Sequence, residues 1–198
     1  MCTKGAHERH GFHSKGQGFA QFQGFRSSRF RPSTISLVTE AAIRRATPED
    51  IHALVQLEQA TSTAAHWSRS QYEAIFQADA PPRLTLVVEN GQLSGFLVAQ
   101  AAGPEWELEN VAVAPAAQRR GLGTQLVRAL LQEAKRQHAV AILLEVRASN
   151  TAARRLYEGC GFVLAGTRSR YYQNPQEDAI LYRYSFNESP QMPSEERI

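Results

Sequence analysis

A chain of 198 residues with a 42% hydrophobic share is long enough for one domain with its own core and gives no ground for two. No uninterrupted apolar run approaches the roughly 18 residues that span a bilayer, and the two cysteines, Cys2 and Cys160, form no spaced pattern. These features argue against a membrane-spanning protein and a disulfide scaffold, and a reducing, cytoplasmic compartment is the expectation.

The net charge of +3 is unevenly held: residues 1–39 contain six Lys or Arg and one acid, the remainder 16 basic and 18 acidic residues. Residues 1–40 are glycine-rich, and their aromatic side chains follow neither a helical nor a strand period. Such a segment buries too little to offset its ordering entropy, so a disordered basic arm is expected. The interleaved Arg and Phe of "GFRSSRFR" suit phosphates and stacked bases, which leaves RNA or ribosome docking as an alternative. His7, His10 and His13 recur at threes without companion ligands, so no metal is expected. A start downstream, at Leu37 or Val38, is a further reading of the arm.

The domain is expected over residues 41–186, followed by a flexible tail at 187–198. "AAIRRAT" reads as a short strand. Thr47, Pro48 and the acids after them mark a helix start, with Ile51, Leu54, Val55 and Leu57 as its apolar stripe. "WSRSQYEAIFQAD" is a second helix capped by Ser68 or Ser70. Two apolar runs meeting at Asn90-Gly91 predict a hairpin, and "EWELENVAVAP" alternates as a fourth strand. A helix from about Gly121 to His138 follows. "AVAILLEVR" is apolar enough for a strand covered on both faces. A glycine-closed helix, "NTAARRLYEGCG", and two final strands complete the pattern.

The stretch "QRRGLG", Gln118 to Gly123, lies where a strand gives way to a helix. A helix N-terminus leaves backbone N–H groups unpaired at the positive end of the macrodipole. Gly121 and Gly123 allow the chain to curl and keep side chains off a ligand, and Arg119 and Arg120 stand at the rim, which suits a pyrophosphate. The G-x-G-x-x-G form fails at Leu126, and no Gly-Lys-Ser/Thr follows.

Taken together, "VAVAPAAQRRGLG" and "LEVRASNTAARRLYEGCGF" resemble the GNAT superfamily of acetyl-CoA-dependent N-acetyltransferases. The second motif, with "RYY" and "EDAI" downstream, is similar to its RimI branch of ribosomal-protein-alanine N-acetyltransferases. The resemblance covers about residues 43–184. It implies a single α/β domain whose mixed, mostly antiparallel sheet is flanked by helices and splayed between the fourth and fifth strands.

It also implies that Gln118, Arg119, Arg120, Gly121, Leu122, Gly123 and Thr124 bind the pyrophosphate of acetyl-CoA. The strand Val111, Ala112 and Val113 would take the pantetheine arm, and Asn150 would bind from the other side. Glu145 matches the family's general base and Tyr157 its general acid. A carboxylate in the apolar run "AILLEV" is independently expected to have a raised pKa. The alternatives are a structural Glu145 paired with Arg147 or Arg170, and a Tyr157 that only fills the core. Glu109 departs from the RimI pattern, which favours an apolar residue there, and is a rival base or a site for a cationic amine. Tyr171, Tyr172 and Trp67 match the acceptor side, with packing as their alternative role.

The expected function is acetylation of the N-terminal residue, plausibly an alanine, of a protein such as a small-subunit ribosomal protein. Transfer is direct, since Cys160 sits in a helix-ending "EGCGF" and Cys2 in the arm. A small-molecule amine or a lysine side chain is the alternative acceptor.

Overall fold

A computed structural model describes residues 41–61, 65 and 67–186. The expected arm at 1–40, with its docking and histidine readings, and the tail at 187–198 lie outside the described residues.

The elements follow the expected order. β1 (Ala42–Arg45) leads through a 3-10 turn at Pro48–Asp50 into α1 (Ile51–Ala60), and α2 (Arg69–Ile75) comes next. Then come β2 (Arg83–Glu89), β3 (Leu93–Ala102), β4 (Glu105–Val113), α3 (Leu122–Arg136), β5 (Ala141–Arg147), α4 (Thr151–Gly159), β6 (Val163–Gln173) and β7 (Gln176–Ser185). The helix start at Thr47 is sealed by Asp50, whose carboxylate accepts the Thr47 N–H at 2.8 Å. Ser68, and not Ser70, caps α2 by accepting from the Gln71 N–H. The Asn90-Gly91 hairpin closes with a three-residue loop, because Glu89 pairs with Leu93 and the ladder shifts at Val88. Gly91, at φ +76°, supplies the left-handed residue such a loop needs.

One seven-stranded sheet runs β1-β2-β3-β4-β5-β7-β6, antiparallel except for the β4–β5 pair. On one face, Leu122, Leu126, Val127, Leu130 and Ala134 of α3 recur at helical spacing against Leu84, Leu97, Ile142 and Leu144. On the other, Leu54 and Leu57 of α1 and Tyr72 of α2 cover Val87, Phe96, Val98 and Ala112. Each fully buried Leu, Val or Phe contributes about 1.5–3 kcal/mol.

A bulge in β4 shapes what lies between the layers. Val98 pairs with Asn110 and Ala99 with Leu108, which leaves Glu109 without a partner on β3. The extra residue inverts the side-chain alternation. Trp106 and Leu108 before it share a core with Val111 and Val113 after it, while Ala112 packs on the α1–α2 face. Pairing with β5 ends at the same place, Leu108 with Leu144, and from there the two strands part. This is the expected splay.

β5 is not covered on both faces as its apolar run suggests. Ile142, Leu144 and Val146 are buried against α3 and α4, whereas Leu143, Glu145 and Arg147 on the opposite face are only half-buried. The reason is the reach of the second layer: α1 and α2 pack on β2, β3 and β4 and add no residue of β5 to their core.

Candidate active site

The parted strands open a cleft of about 780 Å³ between β4, the start of α3, β5 and α4. One end is built from backbone. Gly121 caps α3 at φ +78°, and Arg119 before it is also left-handed at φ +61°. A Cβ on Gly121 would meet nothing within 4 Å, so conformation and not space demands glycine there. The bond from Gln125 N–H to the Gly121 carbonyl, 3.0 Å, opens the helical ladder, and the amides of Leu122, Gly123 and Thr124 precede it.

Gly123 lines the cleft and has a packing role besides the one expected. A Cβ on it would stand 3.2 Å from Leu156 Cδ2, so the missing side chain lets α3 approach α4. Arg119 lines the cleft and Arg120 does not; Arg155 of α4, which the sequence reading missed, does. Arg155 lies five residues beyond Asn150, which caps α4, and shares a helix face with the cleft-lining Ala152 and Leu156.

Val111 and Val113 line the cleft on the side where β5 has departed, while Ala112 faces the other core. Gln118 folds back so that its Nε2 donates to the Val113 carbonyl at 3.1 Å. The loop is thereby tied to the strand edge that the resemblance assigns to pantetheine. Asn150 caps α4: its Oδ1 accepts the Ala153 N–H at 3.1 Å, which leaves the amide nitrogen as a donor on a cleft-lining residue.

The other end is built from side chains. Glu145 lines the cleft but is not enclosed; its side chain is 22% exposed. Its partner is neither Arg147 nor Arg170 but Arg168, whose Nη1 lies 2.5 Å from Glu145 Oε1. Tyr171, whose ring lies 5.5 Å from the Arg168 guanidinium, has its pKa raised mainly by the neighbouring Glu145 carboxylate. Tyr157 of α4 is buried among Phe162 and Tyr182 yet reaches the cleft wall. Burial pushes its hydroxyl pKa well above the ordinary tyrosine value. Tyr172 lines the cleft with Arg147 stacked 4.2 Å over its ring.

Glu109 lines the cleft too, but Arg83 holds both its oxygens, at 2.7 and 3.0 Å. Both partners are under one-fifth exposed, against 54% for Arg168. A two-pronged, half-buried pair is the harder to open, since an exposed single-contact pair contributes only about 0–1 kcal/mol. Glu145 is therefore the more available carboxylate.

Trp67 is not in the cleft wall. Its ring packs 5.6 Å from that of Tyr72, and its backbone N–H donates to Glu58 at 2.9 Å. Glu58, 1% exposed, was not legible as functional or structural from its place in the α1 pattern. It also accepts from the Tyr72 hydroxyl and from Asn110 Nδ2 at 3.0 Å, so one buried carboxylate ties α1 and α2 to β4 beside the bulge. Among the described residues no group of three or more His, Cys, Asp or Glu could hold a metal ion, and no helix is long and apolar enough to cross a membrane.

An amide-lined anion site, an open strand edge, a carboxylate and a protonated phenol around one cleft suit the transfer of an acyl group to an amine. The sequence of residues 51–162 matches the acetyltransferase (GNAT) family model. The chain is 41% identical over 97 residues to the [ribosomal protein bS18]-alanine N-acetyltransferase of Escherichia coli K12, a match covering 48% of this chain and 66% of that enzyme, just under two thirds of its length. To the enzyme of that name in Salmonella typhimurium LT2 it is 39% identical over 134 residues, 67% of this chain and 88% of that one. The crystal structure of the ribosomal-protein-S18-alanine N-acetyltransferase from Escherichia coli superposes with a TM-score of 0.66 at 32% identity, covering 76% of this chain and 97% of that one. The chain belongs to the acetyltransferase (GNAT) family of enzymes.

Proposed function

We propose that this protein is a cytoplasmic, acetyl-CoA-dependent N-α-acetyltransferase acting on the N-terminal residue, an alanine, of a small-subunit ribosomal protein. The observation that carries this reading is a single cleft with the Gly121 anion site at one end and Glu145 at the other, with Tyr157 in its wall. Its volume of about 780 Å³ lies in the range of ligand clefts. The protein acceptor is supported by similarity to enzymes named for the alanine of bS18.

Bound acetyl-CoA supplies an acetyl group activated as a thioester. The amides at the start of α3 and the Arg119 and Arg155 side chains suit its phosphates, and the β4 edge at Val111 and Val113 suits its extended arm. The Asn150 amide donates from the opposite wall. An N-terminal ammonium has an ordinary pKa of about 7.7–8.0, so Glu145 need only be a modest base to take its proton. The freed lone pair forms the C–N bond as the C–S bond breaks. Tyr157, kept protonated by burial, delivers its proton to the departing sulfur. Cys160 is packed against the α3–α4 core and burial raises its pKa, which favours direct transfer over an acyl-enzyme.

The test is to offer acetyl-CoA with an alanine-terminated peptide, an Nα-blocked peptide carrying lysine, and a polyamine, and to locate the acetyl group by mass spectrometry. Acetylation at the free N-terminus is expected; modification confined to lysine or the polyamine would sink the peptide reading. Glu145→Gln and Tyr157→Phe should each lower turnover by about 10²–10⁴-fold, and full turnover in both would overturn the mechanism.

A further inference from the structure

Glu109 and Glu145 line the cleft, Glu177 pairs with the cleft-lining Arg147, and each of the three carboxylates thus carries an arginine. Arg83 grips Glu109 with two bonds, and both partners are mostly buried. Arg147 meets Glu177 at 3.3 Å and is fixed further by the carbonyls of Asn174 and Pro175, at 3.1 and 3.3 Å, and by the Tyr172 ring. Arg168 differs from both. It is 54% exposed, its Nη1 lies 2.5 Å from Glu145 Oε1, and the Tyr171 ring lies 5.5 Å away.

The path of Arg168 to Glu145 is built into the outer strands. β6 pairs with β7, and β7 with β5, so Arg168 must reach across a whole strand. It stands opposite Ala179 of β7, which in turn stands opposite Arg147 of β5. The small Ala179 side chain lets the long guanidinium pass over the middle strand. Between Arg168 and Tyr172 the ladder is interrupted, and the bulge is fixed by the left-handed Arg170, φ +53°, whose N–H donates to Asp178 at 2.8 Å. The excursion presents Tyr171 to Glu145 as well.

We propose that Arg168 is a displaceable counter-ion that occupies the place of the acceptor's ammonium on Glu145, and so sets how tightly the acceptor binds. The proposal rests on the reading of Glu145 as the residue that receives the acceptor amine. Both cations offer N–H donors to the same carboxylate, so the acceptor enters by exchange with Arg168 and not by filling an open site. Of the three arginines, this one is the most exposed, and no backbone carbonyl holds it as the Asn174 and Pro175 carbonyls hold Arg147, which is what exchange requires.

Steady-state kinetics of the full chain, with an alanine-terminated peptide and acetyl-CoA, test the idea. Arg168→Ala should lower the KM for the peptide about two- to fivefold, the range an exposed ion pair commands, while the KM for acetyl-CoA stays where it is. Arg168→Lys, which keeps the charge, should fall between the variant and the parent. Raising the salt concentration should narrow the gap between Arg168→Ala and the parent, because exposed pairs are screened. A peptide KM that rises in Arg168→Ala would mean that Arg168 holds the acceptor, and an unchanged one that it does not compete; either overturns the proposal. If the parent acetylates the peptide and Glu145→Gln abolishes turnover while Arg168→Ala changes nothing, the counter-ion alone is refuted. If the parent leaves every N-terminal amine untouched, the underlying reading fails and takes the proposal with it.

Discussion

The two ends of the cleft are made of different materials. At the α3 end the working groups are backbone amides, placed by the left-handed Gly121 and Arg119 and by a strand edge freed when β4 bulges at Glu109. At the other end they are side chains, held by arginine–carboxylate pairs that join residues 26, 30 and 23 positions apart in the chain. Backbone geometry is written over a few consecutive residues and tolerates little change in them. Paired side chains are separable, so one end is suited to holding an invariant cofactor and the other to admitting and exchanging an acceptor.

The sharpest way to break this contrast is to remove the polar support of the acceptor side. Glu58→Ala removes the acceptor of the Tyr72 hydroxyl, of the Trp67 backbone N–H and of one of the two bonds from Asn110 Nδ2, and should destabilise the fold by more than about 3 kcal/mol in urea unfolding. A loss under about 1 kcal/mol would mean that apolar packing alone holds α1 and α2 to β4. At the backbone end, Gly121→Ala must place a Cβ at φ +78°, a strain of about 1–2 kcal/mol. Its expected signature is a raised KM for acetyl-CoA with the peptide KM unmoved; the reverse pattern would erase the division between the ends.

The smallest effect is the most selective. Arg44 reaches Asp50 with two bonds, at 2.7 and 2.8 Å, and holds its carboxyl at about 2, below the ordinary value. A depressed carboxyl pKa contributes stability that is present above about pH 4 and is lost as the pH falls through about 2. Asp50→Asn should therefore lower the Tm at pH 7 by the equivalent of roughly 1 kcal/mol, since Arg44 is partly exposed, and the gap should close toward pH 2. A gap independent of pH would show that the charge on Asp50 is not what pins the start of α1 to β1.

Legibility followed the same division. Element order, the Thr47 start, a serine cap at Ser68 or Ser70 and the α3 stripe could be read because each depends on neighbours within one or two turns. The left-handed turn at Gly121 could be read for the same reason, whereas the approach of Gly123 to Leu156, 33 residues away, could not. The apolar run of β5 misled, because an apolar residue such as Leu143 does not announce whether a second layer covers it. Glu145 was singled out by its motif, but its partner Arg168 was not, since nothing local distinguishes it from Arg147 or Arg170.

The sequence by itself determined the layered α/β order, the glycine-led turn into α3 and the family motifs, because periodicity, caps and left-handed turns are short-range constraints on the chain. Only the tertiary structure decided which arginine each cleft carboxylate meets. That depends on how far Arg83 and Arg168 reach across strands, on an extra residue in β4 and on the size of Ala179, none of which is a property of neighbouring residues.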